Sequence, residues 1–139
     1  AMLQMGSDIS LNDTEALRIL LVEDHPLVRL TTSDLLNDLG HTVEEAADAQ
    51  SAIAFVETGA PIDILITDIG LPDIRGTLLA AECRRRLPEL RIIFISGNDA
   101  AGADDIPNDP LHRFLEKPFM TSDLQRTLSE LAAPPPPLS

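Results

Sequence analysis

Four apolar runs in this sequence each end on a side chain suited to handling a phosphoryl group. Ile62-Asp63-Ile64-Leu65-Ile66-Thr67 runs into Asp68, and Ile19-Leu20-Leu21-Val22 into the acidic pair Glu23-Asp24. Arg91-Ile92-Ile93-Phe94-Ile95 ends at Ser96, and Phe114-Leu115-Glu116 at Lys117-Pro118. If Glu23, Asp24 and Asp68 share a pocket they repel one another. Two unit charges about 4 Å apart cost about 4 kcal/mol at an effective dielectric near 20. Such a cluster requires a cation or a raised pKa. Oxygen-only ligands select a hard ion, and Mg2+ takes one or two carboxylates with waters and phosphate oxygens. Zinc does not fit, because His25, His41 and His112 have no Cys or His partner at ligand spacing. His25 reads as a helix-start residue. A carboxylate can attack phosphorus, and the acyl phosphate formed carries added negative charge. A metal ion and an ammonium would neutralise that charge, and a hydroxyl would bond to it. Asp68, Lys117 and Ser96 suit these roles. Taken singly, each is an ordinary strand-end group; together, in this order, they point to one site.

Those residues need strands to carry them, and the hydrophobic pattern supplies strands alternating with helices. Strands are predicted at Arg18–Glu23, Thr42–Ala46, Ile62–Thr67, Arg91–Ile95 and His112–Glu116. A first helix begins at Asp24-His25-Pro26, with Leu27, Leu30, Leu35, Leu36 and Leu39 on its apolar face, and stops at Gly40. A second spans Asp48–Glu57 with Ala49, Ala52, Ile53 and Val56 inward, ended by Gly59-Ala60-Pro61. A third covers Arg75–Leu87, and a last one Thr121–Leu131, capped by Thr121 or Ser122. Strands joined by single helices imply right-handed parallel crossovers and an open sheet covered on both faces. Ligands of such sheets bind beyond the carboxyl ends of the strands, where the polar residues fall. The stretch 97–110 breaks the pattern. It holds Gly97, Gly102, Pro107 and Pro110. In a helix each glycine would cost about 1 kcal/mol and each proline about 3. A loop with at most one helical turn is expected there.

The chain has 139 residues, of which 44% are apolar, enough for one domain with a real core. Its net charge of −13 argues against nonspecific nucleic-acid binding and against anionic membrane surfaces. No apolar run approaches the length of a membrane span, and no secretory signal is recognisable. Cys83 is the only cysteine and reads as a small packing residue in a reducing, cytoplasmic setting. Arg84-Arg85-Arg86 reads as a solvated helix face. The expected domain division is a disordered extension or cloning scar over 1–16, a folded unit over 17–131, and a proline-rich tail over 132–139, with Pro134 to Pro137 favouring polyproline II.

From Leu17 to Leu131 the motifs resemble the receiver (CheY-like) domains of two-component response regulators. The resemblance rests on Glu23-Asp24, on Asp68-Ile69-Gly70-Leu71-Pro72-Asp73-Ile74-Arg75-Gly76, on Ser96 and on Lys117-Pro118-Phe119. It implies a flavodoxin-like (βα)5 doubly wound parallel sheet of order 2-1-3-4-5, here with the fourth helix short or absent. It implies phosphorylation of Asp68, and Mg2+ (with Mn2+ able to substitute) held by Asp24, Asp68 and the Gly70 carbonyl, with Glu23 acting through water. Ser96 and Lys117 would contact the phosphoryl group, Ser96 and Phe114 would form the switch, and the Lys117–Pro118 peptide would be cis. Gly70 and Asn98 stand where the family tunes acyl-phosphate lifetime. The degraded fourth helix resembles a subgroup found in hybrid histidine kinases and single-domain regulators. Phosphorylation would then order the 97–110 segment in place of the usual hydroxyl–aromatic switch.

The implied partner is a histidine kinase or a histidine phosphotransfer protein. It would dock on a rim formed by Pro26, Leu27, Val28, Phe119 and Met120. The unit would be a stand-alone regulator or the receiver of a hybrid kinase, handing its signal to an unspecified effector rather than acting as an enzyme on other substrates. Two alternatives compete. One is a receiver-like module that binds partners without phosphorylation. The other is a Mg2+-dependent phosphohydrolase, but Gly70 stands where Asp-x-Asp enzymes carry a second carboxylate.

Overall fold

A computed structural model describes residues 16–97 and 111–132. The expectations for the N-terminal extension, for Asn98 and the helix-poor segment up to Pro110, and for the proline-rich tail lie outside the described residues. In chain order the elements are β1 (Arg18–Val22), α1 (Pro26–Asp38), β2 (Thr42–Ala46), α2 (Ala49–Glu57), β3 (Ile64–Asp68), α3 (Gly76–Arg86), β4 (Arg91–Ser96), β5 (His112–Glu116) and α4 (Thr121–Ala132). All neighbouring strands pair in parallel, in the order β2-β1-β3-β4-β5. This is the flavodoxin-like order expected above.

Side chains alternate between the two faces of a strand, so each strand feeds two cores. On one face Leu20, Val22, Leu65, Ile92 and Phe94 pack against Ala49, Ala52 and Val56 of α2 and Leu79, Ala80 and Cys83 of α3. On the other, Ile19, Leu21, Ile64, Ile66, Ile93 and Ile95 pack against Leu36 of α1 and Leu124, Leu128 and Leu131 of α4. Burial lifts the Cys83 thiol to about 11, as suits a packing residue.

The departures from the sequence reading are local, at element ends and on single faces. His25 opens α1, its Nδ1 accepting from the Val28 N–H at 3.4 Å, and Gly40 follows the helix at a positive φ of 95°. Leu27 and Leu30, expected on the apolar face, are exposed; Thr32, Ser33 and Leu36 are buried instead. At about 100° per residue, Leu30 stands about 120° and Leu27 about 180° around the helix from Leu36. Thr121 and Ser122 do not cap α4. Met120 does: its carbonyl accepts from Asp123 and Leu124, and the Asp123 carboxylate accepts the Met120 N–H at 3.1 Å. β3 begins two residues later than expected, because Asp63 leaves the ladder register to accept from Arg18, through both its N–H and its guanidinium. The three arginines at the end of α3 are not one solvated face. Arg84 is half-buried, and its Nε donates to the Leu90 carbonyl at 3.1 Å, bracing the turn into β4.

Candidate functional site

β1, β3 and β5 deliver their C-terminal residues to one edge of the sheet. The Val22–Thr67 register sets Glu23 beside Asp68, and the Asp68–Ile95 register sets Asp68 one residue from Ser96. Lys117 follows β5, its N–H donating to the Ser96 carbonyl at 2.8 Å. The Lys117 ammonium reaches both buried acids, 3.1 Å from Glu23 Oε1 and 3.2 Å from Asp68 Oδ1. One oxygen from each of Glu23, Asp24 and Asp68 lies within 4.8 Å of the others. Glu23 and Asp68 are buried, while Asp24 faces solvent.

The backbone fixes this cluster. The Glu23 N–H donates to the Ala46 carbonyl at 3.0 Å, and Glu23 Oε2 accepts the His25 N–H at 3.1 Å. Arg29, one turn into α1, donates from Nη1 to the Glu23 carbonyl at 2.8 Å and pairs with Glu45 at 3.5 Å. Asp68 is held from behind by Gly76. A Cβ at that position would overlap the Asp68 carbonyl oxygen, and the Gly76 N–H donates to the Ile69 carbonyl at 2.7 Å. Only glycine lets α3 start this close to β3.

Burial is the chief cause that raises the Asp68 carboxyl, to about 7, and the neighbouring Glu23 adds to it; Lys117 opposes them. Burial also acts to raise Glu23, but its hydrogen bonds from Asp68, the His25 N–H and Lys117 outweigh that and hold it below the usual carboxylate range. Lys117 is raised: burial would lower it, and the two acids override burial. Without a metal ion the Glu23–Asp68 pair therefore holds a proton more tightly than ordinary carboxyls do. A donor set of carboxylate oxygens beside an ammonium fits a hard divalent cation and an anionic group together, and offers zinc no nitrogen or sulfur.

The remaining candidates divide between the cluster and its surroundings. Ser96 is half-buried at the end of β4, and Gly70 is exposed two residues past Asp68. The Lys117–Pro118 peptide is cis. Phe114 is 43% exposed on β5, stacked on Phe94 at 5.5 Å and edge-on to His112. On the expected docking rim Pro26, Leu27 (65%) and Met120 (70%) are exposed, whereas Val28 and Phe119 are half-buried and Phe119 packs on the α1/α4 core. The sequence reading passed over Arg29 and the separate contribution of Asp73. Arg29 looked like any polar helix residue. Asp73 entered only as one letter of the motif that begins at Asp68.

Residues 19–129 match the response regulator receiver domain, which extends over most of the chain. The chain belongs to the response regulator receiver family. Receiver domains are phosphoacceptor signalling modules of two-component systems that work with histidine kinases or phosphotransfer proteins, and are not enzymes in the ordinary sense. The sensor kinase CckA of Brucella abortus is 36% identical over 115 residues, covering 81% of this chain; the chain spans 12% of that kinase. A response regulator receiver protein from Sinorhizobium medicae superposes with a TM-score of 0.76 at 32% identity, covering 85% of this chain and 95% of that one. The receiver domain of a sensor histidine kinase from Pseudomonas aeruginosa superposes at 0.73 with 28% identity, covering 85% of this chain and 98% of that one. That structure holds a magnesium ion in its active-site cleft. No helix among the described residues is long and apolar enough to cross a membrane.

Proposed function

We propose that this receiver accepts a phosphoryl group on Asp68 from a phosphohistidine of a histidine kinase or phosphotransfer protein. The observation that carries the proposal is the buried Asp68 carboxylate facing Lys117 at 3.2 Å, with oxygens of Glu23 and Asp24 close by. In the reaction an Asp68 oxygen attacks phosphorus, the P–N bond breaks, and the imidazole leaves with the electron pair and takes up a proton. Asp24, Asp68 and the Gly70 carbonyl would hold Mg2+, with Glu23 positioned through its bond to the His25 N–H. The bound ion would neutralise charge on the phosphoryl oxygens. The Lys117 ammonium, freed from part of its pairing with Asp68, turns to a phosphoryl oxygen, and the Ser96 hydroxyl donates to another. Pro26, Leu27 and Met120 form the exposed apolar rim on which the donor protein docks. Ser96 and Phe114 occupy the positions where the family carries its switch.

The test is intact-mass measurement after adding Mg2+ and a small phosphodonor. The chain gains one phosphoryl group that depends on Mg2+ and that Asp68→Asn lacks. Absence of an adduct, with phosphorylated kinases tried as donors too, would turn the reading to a module that binds without phosphorylation. Turnover of a generic phosphate ester would instead favour the phosphohydrolase reading.

A further inference from the structure

The loop that joins β3 to α3, residues 69–75, carries Gly70 past the phosphoacceptor. Its two ends are tied down: the Ile69 N–H donates to the Ile95 carbonyl at 3.1 Å, and Gly76 returns a bond to the Ile69 carbonyl. Its outer half has a third tie from another part of the fold. Asp73 Oδ1 accepts the Ala49 N–H at 3.0 Å and Oδ2 accepts the Gln50 N–H at 2.8 Å. These are the first two N–H groups of the nine-residue α2, which no intrahelical carbonyl can satisfy. The third, on Ser51, is taken by α2's own cap, Asp48, at 2.8 Å. The first turn of α2 is thus capped by two carboxylates, and only one is local.

A helix that needed only a cap would be served by Asp48, because a side chain at the N-cap reaches the second or third N–H. Asp73 adds a bidentate, charge-assisted clamp whose two bonds fix both position and orientation. It approaches from a segment 23 and 24 residues away in sequence. The bonds from Ala49 and Gln50 hold its carboxyl below the ordinary aspartate value, so it stays ionised near neutrality. We propose that Asp73 is a positioning residue. It straps the loop after the phosphoacceptor to the N-terminus of α2 and so holds the backbone around Gly70 ready for Mg2+ and phosphoryl binding at Asp68. This rests on the phosphoacceptor reading above and deepens it. Asp73 touches no reacting atom; it acts through the loop and leans on α2 as a fixed post.

Asp48 provides the control, since it caps the same helix turn without touching the loop. The full chain, Asp73→Ala, Asp73→Asn and Asp48→Ala are compared, each verified as folded by circular dichroism. Mg2+ affinity comes from calorimetry, phosphoryl uptake from intact mass, and loop order from amide exchange at residues 70–74. Asp73→Ala weakens Mg2+ binding about tenfold, in the range seen when groups that orient metal ligands are removed. It slows uptake similarly and speeds exchange in the loop. Asp73→Asn, which keeps one accepting oxygen, falls between Asp73→Ala and the parent. Asp48→Ala leaves Mg2+ affinity and loop exchange within about twofold of the parent, for it loses only a cap bond. Equal losses in Asp73→Ala and Asp48→Ala, or no loss in Asp73→Ala, would overturn the assignment and leave Asp73 a helix cap. If the parent itself neither binds Mg2+ nor gains a phosphoryl group, the phosphoacceptor reading fails. The exchange data then still judge the strap, which is refuted if loop protection survives Asp73→Ala.

Discussion

Asp68 concentrates the chemistry and also a cost. Burial and Glu23 raise its carboxyl to about 7 in the metal-free protein, against an ordinary value of 3.8. The folded state therefore binds a proton more tightly than the unfolded one. The sign follows from linkage: this contribution to stability is fully present below pH 3.8 and is lost as pH rises toward 7. In urea unfolding without Mg2+, the parent should lose stability over that range and Asp68→Asn should not. At pH 8 the variant should be the more stable by on the order of 1–3 kcal/mol: the full shift from 3.8 to about 7 would give more, at about 1.4 kcal/mol per tenfold in proton affinity, and solvent screening at this partly open site reduces it. Adding Mg2+ should close most of that gap by binding the folded parent. Parallel pH profiles for the two proteins would show that Asp68 is not strained by its surroundings. The same burial that makes Asp68 costly keeps water from solvating it, which leaves Lys117 and a cation to do so.

At the scale of elements, the site depends on how closely α3 starts to the end of β3. Gly76 permits that approach, and what it meets is rigid backbone: the carbonyl of Asp68 and, at 3.1 Å, the Cα of Ile69. Gly76→Ala must push either the helix start or the end of β3. It should cost about 1–3 kcal/mol in unfolding, as overpacked sites do. It should also cut phosphoryl uptake at Asp68 by more than about tenfold, because small misplacements of reacting groups are expensive. Normal uptake in a folded Gly76→Ala protein would mean that the loop absorbs the added carbon. Boundaries of elements were less legible than their existence. The alternation of apolar residues identified every strand and helix described, yet the start of β3, the cap of α4 and the buried face of α1 came out differently. The first two were decided by a side chain reaching to a neighbour, Asp63 to Arg18 and Asp123 to the Met120 N–H; on α1, Thr32 and Ser33 are buried where Leu27 and Leu30 are exposed.

The described residues form one sheet with a core on each face, and the central strands β1, β3 and β4 belong to both. Loss of either core should therefore unfold the other. Leu79→Ala empties a fully buried position on the α2/α3 side, and Leu124→Ala one on the α1/α4 side. Each should cost about 2–5 kcal/mol. Backbone circular dichroism and the near-ultraviolet signal should move together in a single transition with an unchanged denaturant slope. Separate transitions for the two faces would contradict a shared core.

The sequence by itself disclosed the class of fold and put forward the chemical groups of the candidate site. Strands that are buried on both faces must be apolar throughout, so the polar residues that end them stand out, and Glu23, Asp24, Asp68, Ser96 and Lys117 could be named from order alone. Only the tertiary structure decided how those groups meet: Lys117 shared between Glu23 and Asp68, Asp24 left facing solvent, Leu27 turned outward, and Arg29 and Asp73 recruited as braces. The physical reason is range. Hydrophobic periodicity is a local property that a chain carries in its spacing, whereas Asp73 meets Ala49 and Lys117 meets Glu23 through partners 24 and 94 residues away in sequence. Only the stacking of finished elements brings such pairs into contact.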